Sequence, residues 1–155
     1  MRILIDFDGT CIPQLPEPGH CGENTGAEEV LRSLQEAGHE IILWTARNHS
    51  RKNPWNYIDG KFRNPDSLDQ ALMWFSEKGI KLDGINDLPE NICASRKLSG
   101  DLLIDDLSVG IPKIWKEIEF YSFQEQKWKT VKTFWVDWRK LWNDHLKALC
   151  MKPTR

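Results

Sequence analysis

A doubly wound α/β domain built on a parallel sheet is the fold the sequence predicts, on three observations. Apolar runs with little interruption recur at Met1 to Phe7, His39 to Thr45 and Gly100 to Asp106, the pattern of strands covered on both faces. Stretches with helical spacing of apolar residues lie between the runs. Each run ends in polar residues at its carboxyl end, and parallel strands bring those ends to one edge.

The first strand, Met1 to Phe7, leads into Asp6, Asp8, Gly9 and Thr10. In the following helix Thr25 and Glu28 have capping-box spacing, Val30, Leu31, Leu34 and Ala37 make one apolar face, and Gly38 is the stop. "HEIILWT" is the second strand. A second helix is expected over roughly Ser67 to Lys78, with Leu68, Ala71, Leu72 and Phe75 inward and Gly79 closing it. "IKLDGIN", Ile80 to Asn86, is a short third strand and "GDLLIDD" the fourth, with a weakly marked crossover between Asp87 and Ser99. The order β-α-β-α-β-β implies right-handed crossovers and three layers.

Two stretches fall outside this alternation. Asn48 to Asp66 is polar, basic and interleaved with Trp55, Tyr57 and Phe62, a long loop of the kind that is usually functional. Past Pro112 the composition shifts, and five of the eight tryptophans lie there. Glu117 to Lys132 is expected to form a hairpin, and Phe134, Trp138, Leu141, Trp142, His145 and Leu149 have helical spacing. Residues 113–155 are thus expected to be an extension packed on residues 1–112 or on a partner.

The chain of 155 residues fits one domain. A formal charge of -2 exerts no net pull toward nucleic acid or an anionic membrane. Cys11, Cys21, Cys93 and Cys150 show no CxxC spacing, the start has no leader pattern, and no apolar run reaches the length of a membrane span. A soluble, reduced, cytoplasmic protein is expected.

Asp6, Asp8, Asp105 and Asp106 would converge at the shared edge, with Thr45 on the strand between. Two like charges ~4 Å apart cost roughly 4 kcal/mol at an effective dielectric near 20. Such a cluster needs protons or a cation, and an all-oxygen set that leaves room for water and phosphate suits Mg²⁺. Lys97, with Arg47 and Arg96 as further candidates, would supply a fixed positive charge. The picture is a phosphoryl-transfer site.

"DFDGT", "LWTAR", "SRK" and "LLIDD", in this order and spacing, resemble the four signature motifs of the haloacid dehalogenase (HAD) superfamily, in particular its small capless bacterial phosphatases and hydrolases. The resemblance covers about Met1 to Pro112 and implies a Rossmann-like catalytic domain there. It implies that Asp6 attacks phosphorus to form an aspartyl-phosphate and that Asp8 acts as acid and base. Thr45 and Lys97 would hold the transferring group and its charge. Gly9, Thr10, Ala46 and Arg47 would line the substrate. Mg²⁺ would be held by Asp6, Asp105, Asp106 and the backbone carbonyl of Asp8. A carboxyl at Asp8 favours phosphate esters over halides. The interval before Thr45 has room for only a short flap, Ile12 to Asn24, so the crevice is open.

Each element also has a plainer reading. Asp6 and Asp8 alone would be an ordinary solvated strand end, and the aligned Thr45, Lys97 and acidic pair outweigh that. Lys97 and Arg96 read less readily as a solvated pair, and Arg47 equally as a helix cap. Cys11, His20 and Cys21 match no tight zinc chelate and read as separate residues on the flap. The basic aromatic loop keeps a nucleotide or polynucleotide end as the alternative substrate to a small phosphorylated compound. The tryptophan-rich segment reads first as a helix docked on its own core. Trp128 and Trp135 fall off its apolar stripe, and exposure there would point to a dimer or another protein partner. A HAD-like binding module without turnover is the alternative of another class.

Overall fold

The structure, a computed structural model, describes residues 1–17, 19–47, 67–86 and 100–151. Strands β1 (Arg2–Ile5), β3 (Glu40–Leu43), β4 (Gly84–Ile85) and β5 (Leu102–Ile104) form a parallel sheet in the order β4-β3-β1-β5. Helix α1 (Ala27–Glu36) joins β1 to β3, and α2 (Ser67–Glu77) precedes β4. The chain is an α/β protein with helices against a parallel sheet, as the apolar runs predict. The third strand is shorter than "IKLDGIN" suggests, because within that stretch only Gly84 and Ile85 pair with β3.

Alternating positions sort the two faces of the sheet. Ile3, Ile5, Ile41, Leu43 and Ile104 share one buried cluster with Val30, Leu31 and Leu34 of α1 and Leu68, Ala71 and Phe75 of α2. Both helices therefore cover the same face, as right-handed crossovers running in one direction along a sheet require. Leu4 and Ile42 point to the other face and are buried outside that cluster.

The glycines at the helix ends behave as their positions suggest: Gly38 and Gly79 take φ of 86° and 66°, left-handed values that end a helix without a Cβ penalty. The capping box does not form. Gly26 is the N-cap of α1 with φ 83°, Thr25 Oγ1 instead accepts from the Ala27 amide and donates to the Cys11 carbonyl, and Glu28 pairs with Arg32 and Lys78. Ala37 is exposed at the end of the helix rather than inward.

The extension is a hairpin followed by a helix, but the division differs from expectation. Strands β6 (Lys113–Ser122) and β7 (Lys127–Val136) pair along their whole length, and β2 (Gly19–His20) adds to β6. Phe134 and Trp135 thus belong to a strand: the i, i+4 match of Phe134 with Trp138 is accidental, and the β-branched and aromatic run Lys127–Val136 pairs in preference. The terminal helix starts at α3 (Trp138–Leu141), passes through a π turn (Trp142–Leu146) and ends as α4 (Lys147–Cys150). Asp137 caps it, accepting from the Lys140 amide.

Trp138, Leu141 and Leu146 enter the same core cluster as the sheet, so this helix docks on its own chain. Trp135, expected to be surplus, is buried, whereas Trp115 and Trp128 are 61% and 60% exposed. The short flap is likewise not loose. The Gln14 amide donates to the Phe134 carbonyl (2.9 Å), and the Thr133 hydroxyl donates to the Gln14 carbonyl. Among the described residues no helix is long and apolar enough to cross a membrane.

Candidate functional site

Strand order decides where the acids meet. From β1 the chain steps outward through β3 to β4, and β5 lies on the opposite side of β1. The boundary between β1 and β5 is therefore a topological switch point, where open α/β sheets form a ligand crevice beyond the carboxyl ends of the strands. The Asp6 amide donates to the Ile104 carbonyl (3.0 Å), continuing the ladder past β1. One carboxylate oxygen from each of Asp6, Asp105 and Asp106 lies within 4.8 Å of the other two. Among the described residues this is the group able to hold a metal ion.

The loop after β1 is held by short-range geometry. Gly9 has φ +71°, and a Cβ there would sit 2.9 Å from Asp106 Cγ, so only glycine lets the backbone pass this close to the acid. Thr10 is fully buried. Its hydroxyl donates to Asp6 Oδ2 (3.3 Å) and accepts from the Asp106 amide (3.0 Å), bridging the two acid-bearing strands. We expect Gly9→Ala to cost about 1–3 kcal/mol in backbone strain and contact and to displace Asp106. Urea denaturation together with the affinity for Mg²⁺ measures both effects.

Asp8 is not one of these three acids. Its carboxylate takes two bonds from Arg47, Nε to Oδ2 at 2.7 Å and Nη2 to Oδ1 at 2.6 Å, a bidentate pair of the strong kind. Arg47 Nη1 also donates to Gln70 Oε1 (3.2 Å), and the guanidinium lies 4.7 Å from the Phe7 ring centroid. Asp8 was expected to serve a metal through its backbone carbonyl, which a carboxylate paired with Arg47 still permits.

Thr45 and Ala46 follow β3 at the same sheet edge, because the Trp44 amide donates to the Ile5 carbonyl (2.8 Å) and keeps the strands in step. Thr45 Oγ1 accepts from the Arg47 amide (3.2 Å), and the Thr45 amide donates to Asn86 Oδ1 (2.8 Å). Asn86, with φ 49°, thus braces this turn from the end of β4. Lys97 and Arg96 lie outside the described residues, as do Cys93 and the loop from Asn48 to Asp66.

Sequence reasoning passed over several residues that shape the site. Asn86 is legible as the end of the third strand but not as a brace, and Gln70 as an ordinary polar helix position. The largest omission is the reach of the extension. Trp138 Nε1 donates to the Thr10 carbonyl (2.8 Å), and the Val136 amide donates to the Gly9 carbonyl (2.9 Å). The end of the hairpin and the start of the last helix therefore clamp the acid-bearing loop. Cys11, placed on the flap by sequence, is a core residue whose thiol donates to the Asp6 carbonyl.

Electrostatics of the triad follow from burial. The Asp6 carboxyl is pushed up from 3.8 to about 7, first by burial, against a backbone hydrogen bond at Phe7, with further rises from Asp105, Asp8 and Asp106. Burial, then Asp105, also raises Asp106. An acid raised on folding holds a proton that the unfolded chain has lost, so stability falls as pH rises from about 4 to about 7 and levels off above. The rise at Asp6 caps the loss near roughly 4 kcal/mol, and solvent screening at this partly exposed group lowers it to about 1–3. Glu28 and Glu125, lowered by their lysines, act with the opposite sign and at lower pH. Thermal melts of chelator-treated protein should therefore drop between pH 5 and 7.5.

No family model matches the chain, and no curated protein does so significantly. Among solved structures, a conserved protein from Bacteroides thetaiotaomicron is similar at 35% identity, with a TM-score of 0.53, over 71% of this chain and 78% of that one. The chain belongs to the family of that protein. Membership in this family supports the α/β fold and says nothing of the reaction.

Proposed function

We propose that the protein is a Mg²⁺-dependent phosphatase of the HAD type, hydrolysing a phosphate monoester through an aspartyl-phosphate on Asp6. The observation that carries this reading is the convergence of Asp6, Asp105 and Asp106 within 4.8 Å at the switch point of the sheet. Three hard oxygen donors, one of them buried enough to be pushed up to about 7, fit a small divalent cation better than a softer metal. Bound by these residues, Mg²⁺ would supply positive charge shared between the carboxylates and a phosphoryl oxygen. Burial of Leu4 and Ile42 on the face away from α1 and α2 supports the three-layer form of the fold.

The chain's own residues then have definite tasks. Asp6 Oδ attacks phosphorus in line with the ester oxygen; Asp8 gives its proton to that oxygen and takes one from the water that cleaves the acyl-phosphate. Thr10 keeps Asp6 aimed while leaving its second oxygen to react. Thr45, Ala46, Arg47 and Lys97 bind the phosphoryl group. Asp8 must leave Arg47 before it can reach a leaving oxygen, so substrate phosphate competes with Asp8 for the guanidinium.

That same bidentate pair favours a second reading, a binding module in which Arg47 keeps Asp8 from acting. Assay of a broad panel of phosphate monoesters with Mg²⁺ separates the two. Turnover abolished by chelator supports the enzyme; inertness toward the whole panel supports the binding module.

A further inference from the structure

Beside the acids, between α2 and the tip of the β6–β7 hairpin, lies a cleft of about 470 Å³, within the size range of small-molecule sites. Phe7, Met73, Trp74, Tyr121, Phe123 and Trp128 supply its apolar walls. The rings brace one another: Trp128 and Phe123 meet Tyr121 edge-on at 5.8 and 6.2 Å, and Trp74 meets Phe7 at 5.8 Å. Met73 and Trp128 are 56% and 60% exposed where they line it.

The cleft is continuous with the proposed centre through two residues. Phe7 immediately precedes Asp8, and Arg47, which grips Asp8, also lines the cleft. An ester whose bridging oxygen stands at Asp8 would direct its organic part along this wall. Glu23 and Glu77 also line the cleft; Glu23 is paired with Lys116, and the negative charge of Glu77 disfavours a second phosphate or a carboxylate there. We propose that this cleft receives a planar, uncharged aromatic group, and, resting on the phosphatase reading, that this group is the alcohol side of the monoester.

The test uses the full chain and three probes: 2-naphthalenemethanol, 2-naphthylmethyl phosphate and ethyl phosphate. The two esters share an alkyl leaving oxygen, so chemistry alone separates them little. Saturable binding of 2-naphthalenemethanol, read by tryptophan fluorescence and calorimetry, should weaken about three- to tenfold in Trp128→Ala, the loss expected for one aromatic contact. The ratio of kcat/KM for the naphthylmethyl ester over the ethyl ester should exceed one and fall by a similar factor in that variant. Tyr121→Phe, which keeps the ring, should bind as the wild type does.

Absence of saturable alcohol binding, or equal affinity in wild type, Trp128→Ala and Tyr121→Ala, overturns the proposal, even if both esters are hydrolysed. Alcohol binding that Trp128→Ala weakens, without hydrolysis of either ester, upholds the cleft as an aromatic site and overturns its assignment to the alcohol side of the monoester.

Discussion

Asp6→Asn is expected to abolish phosphatase turnover, lowering kcat by about 10⁴-fold or more, as loss of a covalent nucleophile does. The same change should stabilise the metal-free protein. A neutral amide at this buried position escapes the repulsion from Asp105, Asp8 and Asp106 that helps push the Asp6 carboxyl up to about 7. At pH 7.5 without metal the gain should be about 1–3 kcal/mol after allowance for screening, and the decline in stability between pH 5 and 7 should flatten. Opposite signs for activity and stability mark a group kept for chemistry at a cost to the fold. Asp8→Asn should lose about 10²–10⁴-fold, the usual share of a general acid and base, and should leave phosphorylated Asp6 to accumulate. Parallel kinetics, urea melts and intact-mass spectra check all three effects. Unchanged turnover in Asp6→Asn would remove the nucleophile from the account.

Trp138→Ala is expected to have the largest effect on stability. The side chain is fully buried within the central cluster, and truncating a buried tryptophan costs about 3–5 kcal/mol. Its indole N–H also satisfies the Thr10 carbonyl, and a buried acceptor left unpaired costs about 1–3 kcal/mol more. Against a total stability of about 5–15 kcal/mol, the variant stands near the edge of folding. Trp138→Phe separates the two losses: it keeps most of the packing and removes the bond. That variant should melt cooperatively at lower urea and should bind Mg²⁺ more weakly, because the Gly9 and Thr10 loop has lost one of its two clamps. A Phe variant with native Mg²⁺ affinity would reduce Trp138 to a packing residue.

The contrast between these two residues shows what could be read from the chain alone. Asp6 was legible because an acid at the end of an apolar strand breaks a local pattern, and local patterns are what sequence shows. Gly38 and Gly79 were legible for the same reason, each ending a periodic stretch. Trp138 gave no signal as a clamp, because its bond to Thr10 spans most of the chain and depends on where the hairpin delivers the last helix. The Asp8–Arg47 pair was hidden in the same way: both residues were singled out, yet neither spacing nor type tells that they face one another. Phe134 was misassigned because an i, i+4 match to Trp138 mimics a helix face, whereas cross-strand pairing with Trp115 depends on a partner strand that no local window contains. Asn86 shows the middle case, visible as a strand end but not as the brace that holds Thr45.

On the proposed reading, the three clustered carboxylates tolerate one another because a divalent cation joins them. Calorimetric titration of chelator-treated protein with MgCl₂ at pH 7.5, repeated with Asp106→Asn, tests it most directly. Saturable binding of one ion per chain by the wild type, and its loss in the variant, is expected. No saturable binding at millimolar Mg²⁺, or equal binding by the two proteins, would contradict it.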